Sequence, residues 1–309
     1  MGNRVSAAAA RKKRLSEKNN EKINDKSSEI QTSSTSNFDR RSSEVSTVTY
    51  WLPNHNDELD RLSSQHFALK ILYDGNISSQ IASKLNMDNA VVLDVGCGPG
   101  TWLMDVATEF PGGDFHGVDV YNIFPRNIRP ANVHFQSCDA LEGLPFPDNT
   151  FDLVNMRMLY VALKKDEWSL MFKEIYRVLK PGGFLQSCEC TTIETGNEFV
   201  EQTANAFRQS MRDRDQDPYI SPKLGDILRK LNYKILDYEP KVISFAQTDV
   251  LTKEFLWNMV QICRNAQPML EEQFGYTGDQ YAHFLTTFEA ELQKKPEATW
   301  SFHRHSAQK

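Results

Sequence analysis

The sequence lacks the cysteine pattern of a disulfide-bonded or zinc-binding protein. Its 309 residues include five cysteines, an odd number, and none belongs to a CxxC pair or a Cys/His zinc spacing. We therefore expect reduced structural thiols and no metal site. The five are Cys97, Cys138, Cys188, Cys190 and Cys263.

Long apolar runs are also missing. No run approaches the ~18 residues that a helix needs to span a bilayer, and the AAAA stretch at 7–10 is too short for a secretory leader. We therefore expect an intracellular, cytoplasmic protein, with the nucleus and the membrane periphery as alternatives that the N-terminal sequence raises.

Charge is divided unevenly along the chain. The net charge is −6, yet residues 1–47 carry ten basic residues against six acidic ones, so the acidic excess lies in the remainder. An acidic body is a poor electrostatic partner for phosphate backbones. We therefore do not expect nucleic acid as a partner.

Residues 1–47 are rich in serine, lysine and glutamate and contain few large apolar side chains. Such a segment cannot offset its ordering entropy by burial, so we predict a disordered basic tail before a folded domain at 48–309. Its first residues, MGNRVS, fit an N-myristoylation site at Gly2, and the basic cluster Arg11–Arg14 would supply a second membrane signal. A chance match and a nuclear-import signal are the alternatives.

Strands and helices alternate through the body, a rhythm typical of βαβ units in a parallel sheet covered by helices on both faces. The core of this α/β fold is predicted at 90–190, and helical segments at 197–231 and 250–294 are predicted to form a cap over it. The helices predicted within the cap are 197–213, 221–231, 250–265 and 278–294. Predicted strands are 90–95, 114–119, 132–137, 151–156, 183–190, 233–246 and 298–305, and predicted core helices are 101–110 and 166–179.

The stretch AVVLDVGCGPGT at 90–101 joins an apolar strand to a glycine-rich loop. A dinucleotide fingerprint requires a glycine at position 101, where this chain has Thr101. Asp94 would repel a pyrophosphate but would suit a ligand amine, and the following helix N-terminus can receive a carboxylate. A ligand with an amine and a carboxylate at one end matches the methionine part of S-adenosylmethionine (SAM).

Two further acids end the next two predicted strands. Asp119 stands where an acid accepts hydrogen bonds from ribose hydroxyls, and Asp139 can accept a hydrogen bond from an adenine amino group. Because the carboxyl ends of parallel strands meet at one edge of the sheet, we expect these acids and the glycine loop to line one crevice.

Four stretches resemble the class I SAM-dependent methyltransferases: LDVGCGPG (93–100), GVDV (117–120), CDALEGLPFPDNTFDLV (138–154) and EIYRVLKPGGFL (174–185). The resemblance implies SAM as cofactor and a Rossmann-like, seven-stranded, mostly parallel sheet whose last strand is antiparallel. It implies a cofactor-binding set of Asp94, Gly96, Cys97, Gly98, Gly100, Asp119, Val120, Asp139, Ala140, Asn155, Met156 and Arg157, the last three near the sulfonium.

A narrower resemblance covers YWLPNHNDELDRLSSQH (50–66) and FDLVNMRML (151–159). These stretches are similar to the fungal methyltransferases related to the velvet-complex regulator of secondary metabolism. That group implies either regulation through protein partners or tailoring of a metabolite.

We therefore expect methyl transfer to an oxygen or nitrogen of a small molecule or a protein side chain, with a regulatory SAM-binding module of little turnover as the alternative. His66 and Glu189 are the candidate bases; core packing for His66, and pairing with Arg157 for Glu189, are their alternatives. The NMRM sequence at 155–158 lacks the Asn/Asp-Pro-Pro-aromatic motif used on planar nitrogens. A planar amide or adenine substrate is therefore not expected.

Overall fold

Seven strands form one mixed sheet at the centre of the protein. The computed structural model describes residue 52 and residues 56–125, 127–194 and 196–309, all within one compact unit, Val48–Lys309. The tail expected at 1–47, Gly2 and Arg11–Arg14 lie outside the described residues. The strands are β1 (Val91–Val95), β2 (Asp114–Asp119), β3 (Val133–Ser137), β4 (Phe151–Arg157), β5 (Leu179–Cys190), β6 (Lys234–Ser244) and β7 (Thr299–Gln308).

The strand order is β3-β2-β1-β4-β5-β7-β6. The first five strands pair in parallel, whereas β7 runs antiparallel to both β5 and β6. This topology confirms the predicted seven-stranded Rossmann-like sheet with an antiparallel last strand.

Nine α-helices are present in the described ranges, with short 3-10 turns at Met87–Asn89 and Ser221–Lys223. None of these helices is both long and apolar enough to cross a bilayer. The helices are α1 (Asn56–Leu72), α2 (Ser79–Ala82), α3 (Thr101–Glu109), α4 (Glu167–Val178), α5 (Glu198–Arg212), α6 (Leu224–Lys230), α7 (Val250–Asn265), α8 (Gln267–Phe274) and α9 (Asp279–Leu292).

Side-chain alternation along the strands sends apolar residues to both faces of the sheet. On one face, Val92 and Phe184 pack against Trp102 of α3. On the other face, Leu93 and Leu185 belong to the cluster that α4 and α6 cover. A third cluster joins α5, α7, α8 and α9 to the β5–β7 part of the sheet.

Two local features differ from the sequence reading. The strand predicted at 183–190 begins earlier, because β5 starts at Leu179, and its register with β4 shifts between Phe151 and Leu153. The helix within 221–231 packs through Leu224 and Leu228 on the sheet face beside α4, apart from the cap cluster. Its two leucines, four residues apart, form a buried stripe that the sheet covers.

Candidate active site

The glycine loop between β1 and α3 has the conformation that its sequence requires. Gly96, Gly98 and Gly100 have φ angles of +67°, +54° and +76°, a left-handed region that side-chain-bearing residues rarely adopt. Gly100 precedes α3 and offers no side-chain cap. The first N–H groups of α3 are therefore not satisfied by the residue before the helix and can face a ligand carboxylate.

Asp119 ties the end of β2 to this loop. One carboxylate oxygen accepts the Gly98 N–H at 2.8 Å and the other accepts the Tyr121 N–H at 2.9 Å. Burial raises the pKa of this carboxyl, and the backbone N–H groups oppose that rise. Each oxygen keeps a lone pair that can accept a hydrogen bond from a hydroxyl, as expected for a carboxylate that binds ribose.

Asp94 lies in a buried polar row that crosses three strands. Its carboxylate accepts the Asn155 amide N–H at 2.7 Å, and the Asn155 oxygen accepts from Gln186 at 3.0 Å. The three residues occupy one register row of β1, β4 and β5. Burial raises the Asp94 pKa to about 6, while Arg157 and the Asn155 hydrogen bond lower it. Gln186 was not singled out from the sequence, although a glutamine within an apolar strand was the available signal.

Arg157 and His66 meet on the same face of the sheet. The His66 Nδ1 lies 3.3 Å from an Arg157 guanidinium nitrogen, and its Nε2 lies 3.0 Å from the Asp105 carboxylate. Because the guanidinium only donates, Nδ1 accepts and Nε2 carries the proton. Burial, followed by the charge of Arg157, lowers the His66 pKa to about 4. His66 is thus neutral with both ring nitrogens engaged, which is the geometry of a satisfied buried histidine.

Glu189 lies on the opposite face of β5 from Gln186. Its side chain is fully buried, and one oxygen accepts the Tyr160 N–H at 3.0 Å. The other oxygen has no hydrogen-bond partner among the described residues. Burial raises the Glu189 pKa to about 8, so the carboxyl is mostly protonated at neutral pH. The catalytic roles expected for Glu189 and His66 stay predictions.

The remaining expected cofactor residues lie around the ends of β1 to β4. Asp139 accepts the Leu141 N–H at 2.9 Å within the loop after β3, and Val120 is exposed beyond β2. Ala140 packs at the edge of the apolar cluster under α4. Met156 is fully buried in that cluster, so its side chain points away from Asp94 and Arg157. Cys97 is buried, and burial raises its thiol pKa well above the ordinary value.

Helix α1 crosses the glycine loop, a contact that sequence reasoning missed. A methyl carbon of Leu62 lies 3.9 Å from the position of a Cβ added to Gly98. The Ser63 hydroxyl lies 3.2 Å from the Thr101 hydroxyl at the start of α3. Helix α1 therefore covers one side of the glycine loop.

These residues fit SAM in the arrangement of their charges. The uncapped start of α3 suits a carboxylate, the Asp94 carboxyl suits an amine, and Asp119 suits ribose hydroxyls. No group of three or more metal-ligating side chains that could hold a metal ion occurs in the described part of the chain.

Residues 92–183 match the family described as "Methyltransferase domain". The chain is 29% identical over 259 residues to the N-methyltransferase verN of Clonostachys rogersoniana, covering 80% of this chain and 88% of that protein. It is 31% identical over 141 residues to the secondary metabolism regulator laeA of Aspergillus fumigatus, covering 45% of this chain and 36% of that protein.

Among solved structures, phosphoethanolamine N-methyltransferase 2 of Haemonchus contortus in complex with SAM is similar over 82% of this chain and 59% of that chain, at 22% identity and a TM-score of 0.49.

The glycine loop, the acids at the strand ends, the sheet order and the matched domain agree with one another. The chain is a class I SAM-dependent methyltransferase that resembles the fungal secondary-metabolism regulators.

Proposed function

We propose that this methyltransferase binds SAM along the glycine loop and the ends of β1 to β4, and that it methylates a nitrogen of a small, largely apolar molecule. The supporting observation for SAM placement is the 2.8 Å hydrogen bond from Gly98 N–H to Asp119. It sets the acid of β2 directly beside the glycine loop, so that one ligand reaches both.

The proposed cofactor contacts follow the chemistry of the side chains. The start of α3 holds the methionine carboxylate, Asp94 faces its amine, and Asp119 accepts from the ribose hydroxyls. Asp139, with Ala140 and Val120 beside it, borders the adenine. When bound, SAM supplies an electrophilic methyl group attached to a sulfonium.

The choice of nitrogen rests on a relative that aligns over most of both chains. The alignment with the N-methyltransferase verN spans 259 residues, far more than the matched domain of 92–183, and therefore includes cap helices. The cap is where enzymes of one fold differ in substrate. A neutral amine attacks through its own lone pair, so the protein mainly supplies orientation, worth about 7–11 kcal/mol.

The apolar character of the acceptor follows from the surroundings of the β4 end. Met158 and Tyr160, just beyond β4, pack against the same apolar cluster as the cap residues Phe199 and Phe207. A molecule lodged between this loop and the cap would meet aromatic and apolar side chains, which favour an apolar body.

The full-length protein should be incubated with tritium-labelled methyl-SAM and a panel of aryl and alkyl amines, alcohols, phenols and histone peptides. Transfer to amines above the other classes supports the proposal. Transfer confined to hydroxyl compounds or peptides would overturn the nitrogen or the small-molecule assignment. Binding of SAM without transfer to any class would favour the regulatory alternative that the laeA similarity raises.

The N-terminal sequence carries a separate part of the proposal. Gly2 in MGNRVS is acylated and, with Arg11–Arg14, draws a share of the protein from the cytoplasm to membranes. Intact mass of protein from a eukaryotic host would show the added myristoyl group, and an unmodified N-terminal glycine would overturn this part. A Gly2→Ala variant is the control.

A further inference from the structure

The three residues after β4 connect the end of β5 to the glycine loop. Met158 has a φ angle of +59°, a strained conformation for a residue with a side chain, which persists only where neighbours hold it. Its N–H donates to the Cys188 carbonyl at 3.0 Å, and the Tyr160 N–H donates to Glu189 at 3.0 Å. Strand β5 therefore fixes this loop at both ends.

Leu159, between these two anchors, packs directly on the first glycine. One of its methyl carbons lies 2.6 Å from the position that a Cβ on Gly96 would occupy. No side chain fits between them, so the leucine rests against the Gly96 backbone. Any shift of Leu159 changes the space beside the turn in which the methionine part of SAM is placed.

Burying the carboxyl of Glu189 costs free energy, because the group loses its hydration and needs polar partners in exchange. The side chain is fully buried, and its second oxygen has no protein partner in the described ranges. Directly opposite on β7 stands His303, whose Nε2 likewise lacks a partner. The cost of burying this carboxyl is partly offset by the loop, because the N–H groups of Leu159, Tyr160 and Met158 and the charge of Arg157 oppose the rise of its pKa.

We infer that Glu189 is a positioning residue for the cofactor: through the Tyr160 N–H it holds Leu159 against Gly96 and so sets the affinity for SAM. This inference rests on the proposed SAM site. Glu189 acts on the cofactor through the loop, from the face of the sheet opposite Asp94, and does not itself touch the ligand.

Isothermal titration calorimetry with S-adenosylhomocysteine, the reaction product, tests this on the full-length protein without a known acceptor. Glu189→Ala removes the acceptor for the Tyr160 N–H and should weaken binding about tenfold. Glu189→Gln keeps an oxygen acceptor of the same length and should stay within about threefold of the wild type. Leu159→Ala should weaken binding as Glu189→Ala does.

The double variant separates positioning from a general loss of structure. If Glu189 acts through Leu159, then Glu189→Ala should weaken binding further by less than about twofold in the Leu159→Ala background. Independent, multiplying effects of the two substitutions would overturn the inference.

Asp152→Ala is the matched control. The Asp152 carboxylate also accepts one backbone N–H, that of Val91 at 2.9 Å, but at the opposite end of the sheet. The Asp152→Ala variant should have a lower melting temperature and an unchanged affinity for S-adenosylhomocysteine. An equal loss of affinity in Asp152→Ala and Glu189→Ala would overturn the inference.

The outcomes distinguish this inference from the proposed SAM site. Wild-type protein that binds no S-adenosylhomocysteine overturns both. Wild-type binding with an unchanged affinity in Glu189→Ala overturns the positioning role alone. Should Glu189→Ala not fold, Leu159→Ala decides, because an unchanged affinity there removes the link to Gly96.

Discussion

The Asn155 side-chain amide donates a 2.7 Å hydrogen bond to the Asp94 carboxylate across two neighbouring strands, and both side chains are buried. Gln186 continues the row by donating to the Asn155 oxygen at 3.0 Å. A polar row through the sheet core is tolerated because each member has a partner. It also holds Asp94 at the crevice.

Asn155→Ala should therefore destabilise the protein. The change leaves both Asp94 and Gln186 short of a partner in the interior, which we expect to lower the free energy of unfolding by about 1–3 kcal/mol. Urea unfolding followed by circular dichroism measures it. Asn89→Ala, at an exposed position, is the control; equal unfolding midpoints for the two variants would contradict the prediction.

Glu189 should give the protein a characteristic loss of stability above neutral pH. Its pKa is raised from 4.5 to about 8 in the fold, so between these values the folded state binds more protons than the unfolded state. Stability then falls as the pH rises towards 8. Asp94, with a pKa raised to about 6, has the same sign, whereas His66, lowered to about 4, has the opposite sign below pH 6.5.

Melting temperatures at pH 6.5 and pH 8, compared between the wild type and Glu189→Gln, isolate the Glu189 contribution, because Asp94, His66 and His305 titrate in both proteins. The wild type should lose stability over this interval, and Glu189→Gln, which cannot ionise, should lose less. Glu142→Gln, at an exposed position, should behave as the wild type does. Parallel curves for wild type and Glu189→Gln would contradict the raised pKa.

A buried ion pair within α1 is hydrogen-bonded to the cap helix α7. Glu58 and Arg61 pair at 2.6 Å with almost no exposure, and Asn258 and Asn265 of α7 bond to Arg61 and Glu58 respectively. Arg61→Ala leaves the Glu58 charge buried and should cost about 3–5 kcal/mol. Because α1 covers the glycine loop, this variant should also bind S-adenosylhomocysteine more weakly.

Replacing both partners should be milder than replacing one. The double variant Glu58→Gln/Arg61→Met removes both charges and should recover much of the stability lost in Arg61→Ala. Guanidinium unfolding of the three proteins gives the comparison. A double variant less stable than Arg61→Ala would show that the pair itself contributes the net stability.

The glycines of the loop should differ in their tolerance of alanine. An added Cβ at Gly100 would stand 2.3 Å from the Phe135 ring, whereas at Gly98 the nearest atom is 3.9 Å away. Both positions have positive φ, so both substitutions introduce backbone strain. Gly100→Ala adds a steric clash and should lower the melting temperature further than Gly98→Ala; the reverse order would contradict this geometry.

Much of this arrangement was predictable because it is local in the sequence. The acids Asp94, Asp119 and Asp139 end or directly follow strands, and parallel strands bring such ends together. The strand at 114–119 and the helix at 250–265 were predicted with their observed bounds. Apolar periodicity and glycine placement sufficed for these elements.

The unpredicted contacts join residues far apart in the chain. Nothing near Leu159 indicates that it rests on Gly96, and nothing near Arg61 indicates Asn258. The short helix α8 was missed because Pro268 and Gly275 delimit a segment too brief for a clear periodicity. Such contacts depend on how the helices and strands pack together, and local patterns in a single sequence do not reveal that packing.

The central claim is that Asp119 and the glycine loop form one SAM site. Isothermal titration calorimetry of the full-length protein with SAM, S-adenosylhomocysteine and NAD tests it, with Asp119→Asn as the variant and Asp114→Asn, at the other end of β2, as the control. We predict micromolar binding of SAM and S-adenosylhomocysteine, none of NAD, and a loss of at least about tenfold in Asp119→Asn alone. Folded wild-type protein that binds NAD but not SAM, or an Asp119→Asn variant of unchanged affinity, would contradict the claim.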